Sequence, residues 1–455
     1  MPGWANAAIA VACGLLAGAL LLPVVLPWLH GGVRLSPVGN ALKADLAATP
    51  QEGLARFYQA DGYRPLWVKG KTIRSDAQGL IAVLRAAGAN DLDPSKYGAS
   101  DLSSVVAAAA DGKPASLADA ELALSRAYVM YVDDLHRPAK GAALAFIDPA
   151  VRLPPLGAEP ILRAAQRQPS MDAALKSAEQ MNPLYLALRQ AWTAARAKDP
   201  ASSSAALLRI NLERTRALPV DLGPRYILVN PAAEHLWMYA DGKPQADMRV
   251  VVGKLTEPTP SMIGLARYAL FNPYWNIPPD LVRDKVAPAV LKDGLGSFTG
   301  QRFQALDSFK PNAAVLDPAK IDWMAVASGA QILRVRQLPG PHNMMGTVKF
   351  MLPNRLGIYL HDTPMRGLFA GAERTDSAGC VRLQNPAQMA AWLFGRPQSF
   401  NPNGPPDQRV NLPRPVPVYI LYLTVQPSAS GVTVLPDIYS RDPALISAMA
   451  APTAR

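Results

Sequence analysis

Residues 357–388 read GIYLHDTPMRGLFAGAERTDSAGCVRLQNPAQ and contain both His361 and Cys380, in a chain with five histidines and two cysteines among 455 residues. The apolar run before His361 predicts one short strand, and the VRL that follows Cys380 predicts another. If these strands pair side by side, the thiol and the imidazole come within hydrogen-bond reach. Asn385 followed by Pro386 then predicts the start of a helix.

The chemistry of this pair depends on a proton. A thiol with the ordinary pKa of about 8.5 is mostly protonated at neutral pH, so a nucleophilic cysteine needs a base or a positive environment. A nearby imidazole takes the proton and then stabilises the thiolate as imidazolium. The small residues at positions 377–379 allow backbone N–H groups to converge, as an oxyanion hole requires. Cys380 is therefore a candidate nucleophile and His361 a candidate base.

Three other interpretations apply to the same residues. A lone cysteine is often a small buried apolar residue, and a lone histidine is often a satisfied core residue. A metal site built from His361, Asp362 and Cys380 lacks a fourth ligand, so we expect neither a metal nor another cofactor. A papain-like hydrolase places its cysteine before its histidine, which is the reverse of the order here.

Composition restricts the class of protein. A hydrophobic content of 49% and a charged content of 18% indicate a globular chain, and its length suits two or three domains. The formal charge of +11 would attract a polyanion such as an acidic wall polymer or a membrane surface. The basic residues are scattered rather than clustered, so no nucleic-acid partner is expected. Apart from Cys13 in the apolar N-terminus, Cys380 has no partner for a disulfide.

The N-terminus has the character of a membrane segment. Residues 2–33 contain no Asp, Glu, Lys or Arg, and residues 7–29 are almost wholly apolar. At about 1.5 Å per residue, such a helix just crosses a hydrocarbon core of about 30 Å. Residues 1–36 are predicted to be a signal peptide or membrane anchor, and residues 1–33 would export the chain or attach it to the inner membrane.

The remainder predicts an α+β fold. Apolar residues at intervals of three and four predict a helical domain over residues 37–206, which ends in the linker-like KDPASSSAA at 198–206. Short β-branched and aromatic segments then predict a β-rich domain over residues 207–445, with a hairpin at Asp241-Gly242. Helix-like residues 278–330 interrupt the strands and are predicted to form an inserted capping segment, either a lid or a decorated loop. Residues 446–455 would be a tail.

The motifs YLHDTP and SAGCVRL resemble those of the L,D-transpeptidase family with the YkuD-type catalytic domain. The segments ILVNPAAEHLWMYADGKPQADMRVVVGK and RQLPGPHNMMGTVKFMLPN are similar to the large proteobacterial branch of that family. LARFYQADGYRPLWV and AELALSRAYVMYVDDLHRPA resemble the helical scaffold domain of the same branch. The resemblance covers about residues 45–140 and 207–443, and it implies a β-sandwich for the catalytic domain.

The resemblance also implies an activity and a set of site residues. It implies a peptidoglycan L,D-transpeptidase that forms 3→3 cross-links between stem peptides through a thioester on Cys380, with His361 as base. The backbone carbonyl of Asp362 would orient His361. The remaining implied residues fall into two groups: Ser377, Ala378 and Gly379 for the oxyanion hole, and Arg382, Tyr359 and Trp275 for substrate binding. Arg382 could instead form a structural ion pair, and Trp275 could instead pack in the core.

Several alternatives remain open at this stage. The same motif serves an L,D-carboxypeptidase or a transpeptidase that anchors lipoproteins, and the fold could persist as a non-catalytic envelope scaffold. The resemblance also implies a periplasmic location and acylation by carbapenems. Many relatives have His where Ala378 stands, and many insert a peptidoglycan-binding module near residues 195–208, which this chain lacks.

Overall fold

The computed structural model describes residues 34–450, except positions 50, 51, 152, 311, 399, 400, 402, 429 and 430. The segment predicted to enter a membrane, residues 1–33, lies outside the described residues. Within the described ranges, no helix combines the length and the apolar character needed to cross a bilayer.

Helices dominate the part of the chain before residue 217. Their bounds, with those of the later helices, are α1 Pro37–Ala48, α2 Glu52–Ala60, α3 Asp76–Arg85, α4 Ala99–Ala108, α5 Pro114–His136, α6 Ala158–Gln166, α7 Met171–Ala178, α8 Pro183–Lys198, α9 Ser203–Arg216, α10 Pro279–Leu281, α11 Ala287–Asp293, α12 Leu295–Gly300, α13 Trp323–Ala327, α14 Pro386–Phe394 and α15 Asp442–Ala450. A π turn, Val282–Val286, joins α10 to α11. The helices predicted over residues 37–200 are thus confirmed.

The helical part has its own core around the long helix α5. Leu117, Leu124 and Tyr131 are fully buried along one side of α5 and pack with residues of α1, α2 and α8. Glu121 is also buried there, and its carboxylate accepts the N–H groups of Leu66 and Trp67. Burial of a charge without such partners would be costly, so these bonds keep the turn before Val68 against the helix.

The predicted linker at 198–206 is wrong over its second half. Ser202 caps a helix by accepting the N–H of Ala205 at 3.2 Å, and α9 then runs from Ser203 to Arg216. Leu208 and Leu212 of α9 belong to the helical core. A domain boundary at 206/207 therefore falls inside a helix, because the serine run that suggested a loop supplies the helix cap.

Most of the strands lie in the second half of the chain. Their bounds are β1 Val68–Lys69, β2 Thr72–Ile73, β3 Ala145–Phe146, β4 Arg225–Asn230, β5 His235–Ala240, β6 Lys243–Gly253, β7 Met262–Phe271, β8 Trp275–Ile277, β9 Phe303–Leu306, β10 Val315–Leu316, β11 Arg334–Gln337, β12 Val348–Met351, β13 Leu360–His361, β14 Thr375–Ser377, β15 Val381–Leu383, β16 Gln408–Ile420, β17 Val425–Ser428 and β18 Gly431–Val434. The hairpin at Asp241-Gly242 is confirmed, since Ala240 pairs with Lys243 across it.

The main sheet closes on itself. Its order is β12-β13-β15-β6-β5-β4-β16-β7, and β12 pairs again with β7. The resemblance implies two layers, and here the strands of both layers join in one hydrogen-bonded ring. Its interior holds Val250, Val348, Leu360 and Val381, and α14 contributes Met389. Residues from the helical part and the segment after it, among them Leu184, Leu218 and Leu222, cover the outer face of β4 and β16, which explains why β4 is apolar at all four positions from 226 to 229.

The inserted segment forms a small unit of its own. Strands β10-β9-β11-β8 make a separate sheet, and Phe298, Val286 and Trp323 fill a core between that sheet and helices α11–α13. Because β8 and β11 belong to this sheet, the unit extends beyond the predicted limits of 278–330 on both sides. Asn343 holds its base by donating to the carbonyls of Pro273 and Leu338 at 3.1 and 3.0 Å.

Residues 442–450 pack against α9, so the first part of the predicted tail at 446–455 is helical, and residues 451–455 lie outside the described residues. Helix α15 runs to Ala450, and its Leu445 and Met449 are buried against Ile210. The carboxylate of Asp442 lies 2.7 Å from the Arg214 guanidinium, and both side chains are buried. The predicted boundary at 445/446 therefore also falls inside a helix.

Glu213 is expected to be essential for stability. Its carboxylate lies 2.8 Å from the Arg216 guanidinium, and both side chains are fully buried. Glu213→Gln leaves that guanidinium uncompensated, so we expect the free energy of unfolding in urea to fall by roughly 3–5 kcal/mol. The matched control is Glu52→Gln in the exposed pair with Arg56, which should not shift the transition. Equal urea midpoints for the two variants would contradict the expectation.

Candidate active site

The pairing of β13 with β15 brings His361 and Cys380 onto one face of the sheet. These strands are parallel, with Leu360 beside Val381 and His361 beside Arg382. The Val381 N–H also donates to the Tyr359 carbonyl at 3.1 Å, which continues the pairing to Tyr359 and Cys380. Leu360 and Val381 point into the core. Since side chains alternate along a strand, the residues on either side of them share the opposite face.

The imidazole of His361 has a fixed orientation. Its Nδ1 lies 2.5 Å from the backbone carbonyl oxygen of Asp362. A carbonyl only accepts, so Nδ1 carries the hydrogen and Nε2 presents its lone pair. That tautomer is the one a general base requires. The contact is the one that the resemblance assigns to the Asp362 carbonyl.

The side chain of Asp362 keeps that carbonyl in place. Its Oδ2 accepts the N–H and hydroxyl of Thr347 at 2.7 and 2.8 Å, and its Oδ1 accepts from the Arg366 guanidinium and from the Thr363 N–H. Gly346 makes room for it, because a Cβ at that position would lie 2.3 Å from the carboxyl carbon of Asp362. The site thus depends on a glycine whose φ is +60°.

The turn before Cys380 is fastened on both sides. Gly379 has a φ of +95°, and its carbonyl accepts the Thr259 hydroxyl at 2.9 Å. The Ser377 hydroxyl donates to the Cys380 carbonyl at 2.6 Å. Among the described residues, no hydrogen bond uses the N–H groups of Ala378, Gly379 or Cys380. That these donors bind an oxyanion stays a prediction.

The sulfur of Cys380 is partly exposed and has its own hydrogen bond. Its thiol donates to the Gly357 carbonyl at 3.3 Å. Within the described residues, no hydrogen bond joins this sulfur to His361. The sequence led us to expect direct reach between them, and the structure places them on adjacent strands, diagonally offset by one row. The roles of nucleophile and base remain predictions.

Burial keeps both groups neutral in this state. It lowers the pKa of His361 to about 3, and the positive charges of Arg382 and Lys349 act in the same direction. Burial raises the pKa of the Cys380 thiol to about 11, although the Tyr359 N–H and hydroxyl, Arg382 and Lys349 lower it in part. The resting site therefore holds a thiol and an imidazole, not the thiolate–imidazolium pair considered from the sequence.

The three predicted substrate-binding residues differ in position. The Tyr359 ring packs edge-on against His361, with centroids 5.8 Å apart. Arg382 is largely buried beside His361, and its guanidinium lies 3.5 Å from the exposed Asp376 carboxylate. Trp275 pairs with Gln337 in the inserted unit and packs against its core. Tyr359 and Arg382 therefore lie on the same face as His361 and Cys380. Trp275 lies in the inserted unit, where its contacts are with the core of that unit.

Comparison with known proteins identifies the two parts of the chain. Residues 52–191 match the model of a scaffold domain, and residues 224–416 match that of the L,D-transpeptidase catalytic domain, known as YkuD. His361, Cys380 and residues 377–379 all lie within the stretch that matches the catalytic domain.

Individual relatives give the same family. A curated protein of Haemophilus influenzae, named provisionally as an L,D-transpeptidase, is 33% identical over 241 residues. That match covers 52% of this chain and 48% of the relative, so the chain spans about half the length of the relative.

Solved structures also match parts of the chain. The L,D-transpeptidase from Mycobacterium smegmatis is 15% identical over 43% of this chain and 58% of its own, with a TM-score of 0.22. The catalytic domain of an E. faecium L,D-transpeptidase, solved by NMR, is 16% identical over 43% of this chain and 95% of its own, with a TM-score of 0.18. Similarity at this level carries no argument about the site.

Sequence analysis missed several residues of the candidate site. Lys349 is buried on β12 directly opposite His361, and its only signal was a lysine inside the apolar run VKFM. Thr259 and Gly346 gave no signal, because their roles come from contacts across the fold. In the described part of the chain, no group of three His, Cys, Asp or Glu side chains is suited to a metal ion.

The charge state of Cys380 predicts its reaction with iodoacetamide. Because only the thiolate reacts and the thiol pKa is about 11, the labelling rate should rise about tenfold per pH unit from pH 6 to 9. A thiolate–imidazolium pair would instead give a fast and level rate from pH 6. The measurement is mass spectrometry of the Cys380 peptide over time, with Cys13 as an internal comparison. A plateau near pH 6 would show that burial does not control the thiol.

The requirement for glycine at position 346 can be tested against a matched glycine. Gly395 has a φ of +72°, and an added Cβ would meet nothing within 4 Å. Gly395→Ala should therefore lower the free energy of unfolding by about 1–2 kcal/mol, from the backbone conformation alone. Gly346→Ala should lower it further, because its methyl group overlaps the Asp362 carboxylate. Thermal unfolding compares the two variants, and equal midpoints would reject the steric argument.

Proposed function

We propose that this chain is an L,D-transpeptidase that forms 3→3 cross-links between peptidoglycan stem peptides through a thioester on Cys380. One observation carries the proposal: a fixed imidazole with a free Nε2 lone pair and a partly exposed thiol share one sheet face, next to three unused N–H groups. The match to the L,D-transpeptidase catalytic domain supports the reaction class.

The first half-reaction acylates the enzyme. The Cys380 thiol passes its proton to Nε2 of His361, and the sulfur attacks the carbonyl carbon of the third stem residue. Negative charge then collects on the carbonyl oxygen, where the N–H groups of residues 378–380 bind it. The C–N bond to the terminal D-residue breaks as the imidazolium gives its proton to the departing amine. The products are a thioester and a free D-amino acid.

Productive transfer requires the thiol to leave its resting contact. In the resting state it donates to the Gly357 carbonyl rather than to His361. The two residues lie diagonally on paired strands, so a rotation about the Cα–Cβ bond of Cys380 is the smallest motion that redirects the sulfur. A bound donor peptide, whose carbonyl would fill the space before the oxyanion turn, favours that rotation.

The second half-reaction releases the acyl group. The side-chain amine of a diaminopimelate residue on a neighbouring stem attacks the thioester carbon and gives its proton to His361. The C–S bond then breaks, and the thiolate takes back the proton. Water as acceptor would make the enzyme an L,D-carboxypeptidase, and a lipoprotein lysine would make it an anchoring enzyme. A 3→3 reaction would require a periplasmic location, with peptidoglycan stem peptides as the partners.

Arg382 is proposed to bind a carboxylate of the donor peptide. Its guanidinium is largely buried on the face that carries Cys380, and its carboxylate neighbour Asp376 is mostly exposed at 3.5 Å. A long contact to an exposed group is weak, because water competes for both partners. A substrate carboxylate that approaches from the cleft can therefore replace Asp376 and form a bidentate pair with the guanidinium.

Acylation by a carbapenem tests the proposed reaction. Wild-type protein mixed with meropenem should gain one covalent adduct, located on the Cys380 peptide by mass spectrometry. Cys380→Ala should gain none and should lose exchange of the terminal D-residue on tetrapeptide muropeptides, because the nucleophile is absent. The control is Cys13→Ala, which leaves Cys380 as the single thiol and should behave as wild type. Turnover that persists in Cys380→Ala would reject the assignment.

A further inference from the structure

A row of three side chains crosses the catalytic face. Lys349 on β12 pairs with His361 on β13, and His361 pairs with Arg382 on β15. Residues directly opposite each other on paired strands point to the same face, so the imidazole lies between two cations. Cys380 and Tyr359 form the next row on this face.

The ammonium of Lys349 is nearly enclosed. The residue is 9% exposed, and its Nζ donates to the Tyr274 carbonyl at 3.3 Å. Among the described residues, no carboxylate lies within ion-pair distance of it. Most buried charges are paired, because an isolated buried ammonium is costly. Burial accordingly lowers the pKa of Lys349, and the longer-range charges of Asp407 and Cys380 oppose that effect.

Titratable and charged side chains from several neighbouring elements surround Lys349. Its Nζ lies 5.8 Å from the ring centroid of Tyr359, whose hydroxyl approaches the Cys380 sulfur. The titratable and charged groups that face it are Tyr359, His361, Cys380, Arg382, Tyr274 and Asp407, and the Arg336 guanidinium covers the Tyr274 ring. The carboxylate of Asp407 accepts the Tyr274 N–H at 3.0 Å.

We propose that Lys349 is a positioning residue that acts through Cys380: its buried ammonium is a fixed positive charge that, with Arg382, favours negative charge on the Cys380 sulfur. This inference deepens the proposed function and rests on it for its catalytic meaning. Lys349 touches neither the substrate nor the reacting atoms in this proposal. Its positive charge makes the site favour a negatively charged sulfur.

The same field acts on His361. A positive charge beside the imidazole disfavours its protonated form, so His361 stays unprotonated as a base until the thiol proton arrives. Once formed, an imidazolium flanked by Lys349 and Arg382 is a strong acid and readily protonates the departing amine. Arg382 shares its charge with Asp376, whereas Lys349 has no carboxylate within ion-pair distance in the described structure. Lys349 is therefore the less compensated of the two cations.

The test measures thiolate reactivity in the full-length protein with three substitutions of Lys349. Lys349→Met keeps the packing of the stem, Lys349→Gln keeps a donor for the Tyr274 carbonyl, and Lys349→Arg keeps the charge. The rate of iodoacetamide labelling is measured at the Cys380 peptide from pH 6 to 9. We expect Lys349→Met and Lys349→Gln to slow labelling about tenfold at every pH. The labelling rate of Lys349→Arg should stay within about threefold of wild type.

The matched control is Lys254→Met. The Lys254 ammonium lies 3.3 Å from the Glu257 carboxylate, so its charge is already compensated, and labelling should proceed at the wild-type rate. Thermal unfolding checks each variant, and the Gln variant replaces the Met variant if Met prevents folding. If Lys349 acted only through packing, Lys349→Met would be labelled at the wild-type rate. If it acted only through its hydrogen bond to Tyr274, Lys349→Gln would be labelled at the wild-type rate.

Two results would overturn the inference. Labelling at the wild-type rate in the neutral variants would show that Lys349 does not act on the sulfur. Labelling by Lys349→Arg as slow as in the neutral variants would show that charge is not the cause. Neither result depends on the proposed function, because iodoacetamide reacts with any accessible thiolate. A wild-type chain that gains no meropenem adduct but shows the Lys349 effect would lose the proposed function alone.

Discussion

The register between two very short strands, β13 and β15, determines the whole site. A shift by one residue would turn His361 and Arg382 into the core and bring Leu360 and Val381 to the cleft. Strands of two and three residues cannot hold a register by themselves. Pairing with β12 on one side and β6 on the other fixes it, and the carboxylate of Asp362 adds bonds to Thr347 and Arg366.

Burial determines the electrostatics of the site. Because it disfavours the charged forms, the thiol and the imidazole are both neutral, and nearby charges act strongly on them. Lys349 and Arg382 give the face a preference for negative charge, which suits a thiolate, an oxyanion and a carboxylate-bearing peptide. The inserted unit adds to this arrangement, since the carbonyl of Tyr274 at its base holds the Lys349 ammonium.

Local patterns predicted the parts of the molecule that local forces decide. Helices α1 and α5, the Asp241-Gly242 hairpin and the Asn385 cap follow from apolar spacing, turn chemistry and capping. Boundaries failed where distant packing decides, as at α9 and α15, whose apolar residues meet only in the folded chain. The roles of Lys349 and Gly346 were not predicted for the same reason: they depend on neighbours that are remote in sequence.

The pairing of α9 and β4 with the end of the chain has a consequence for biosynthesis. Asn211 accepts the Thr424 N–H at 2.9 Å, Arg214 meets Asp442, and β4 finds its second partner only in β16. A ribosome-bound chain that stops short of residue 408 therefore leaves the edges of β4 and β7 open as templates for other strands. The incomplete chain is therefore exposed to pairing with other strands until residues 408–420 have emerged.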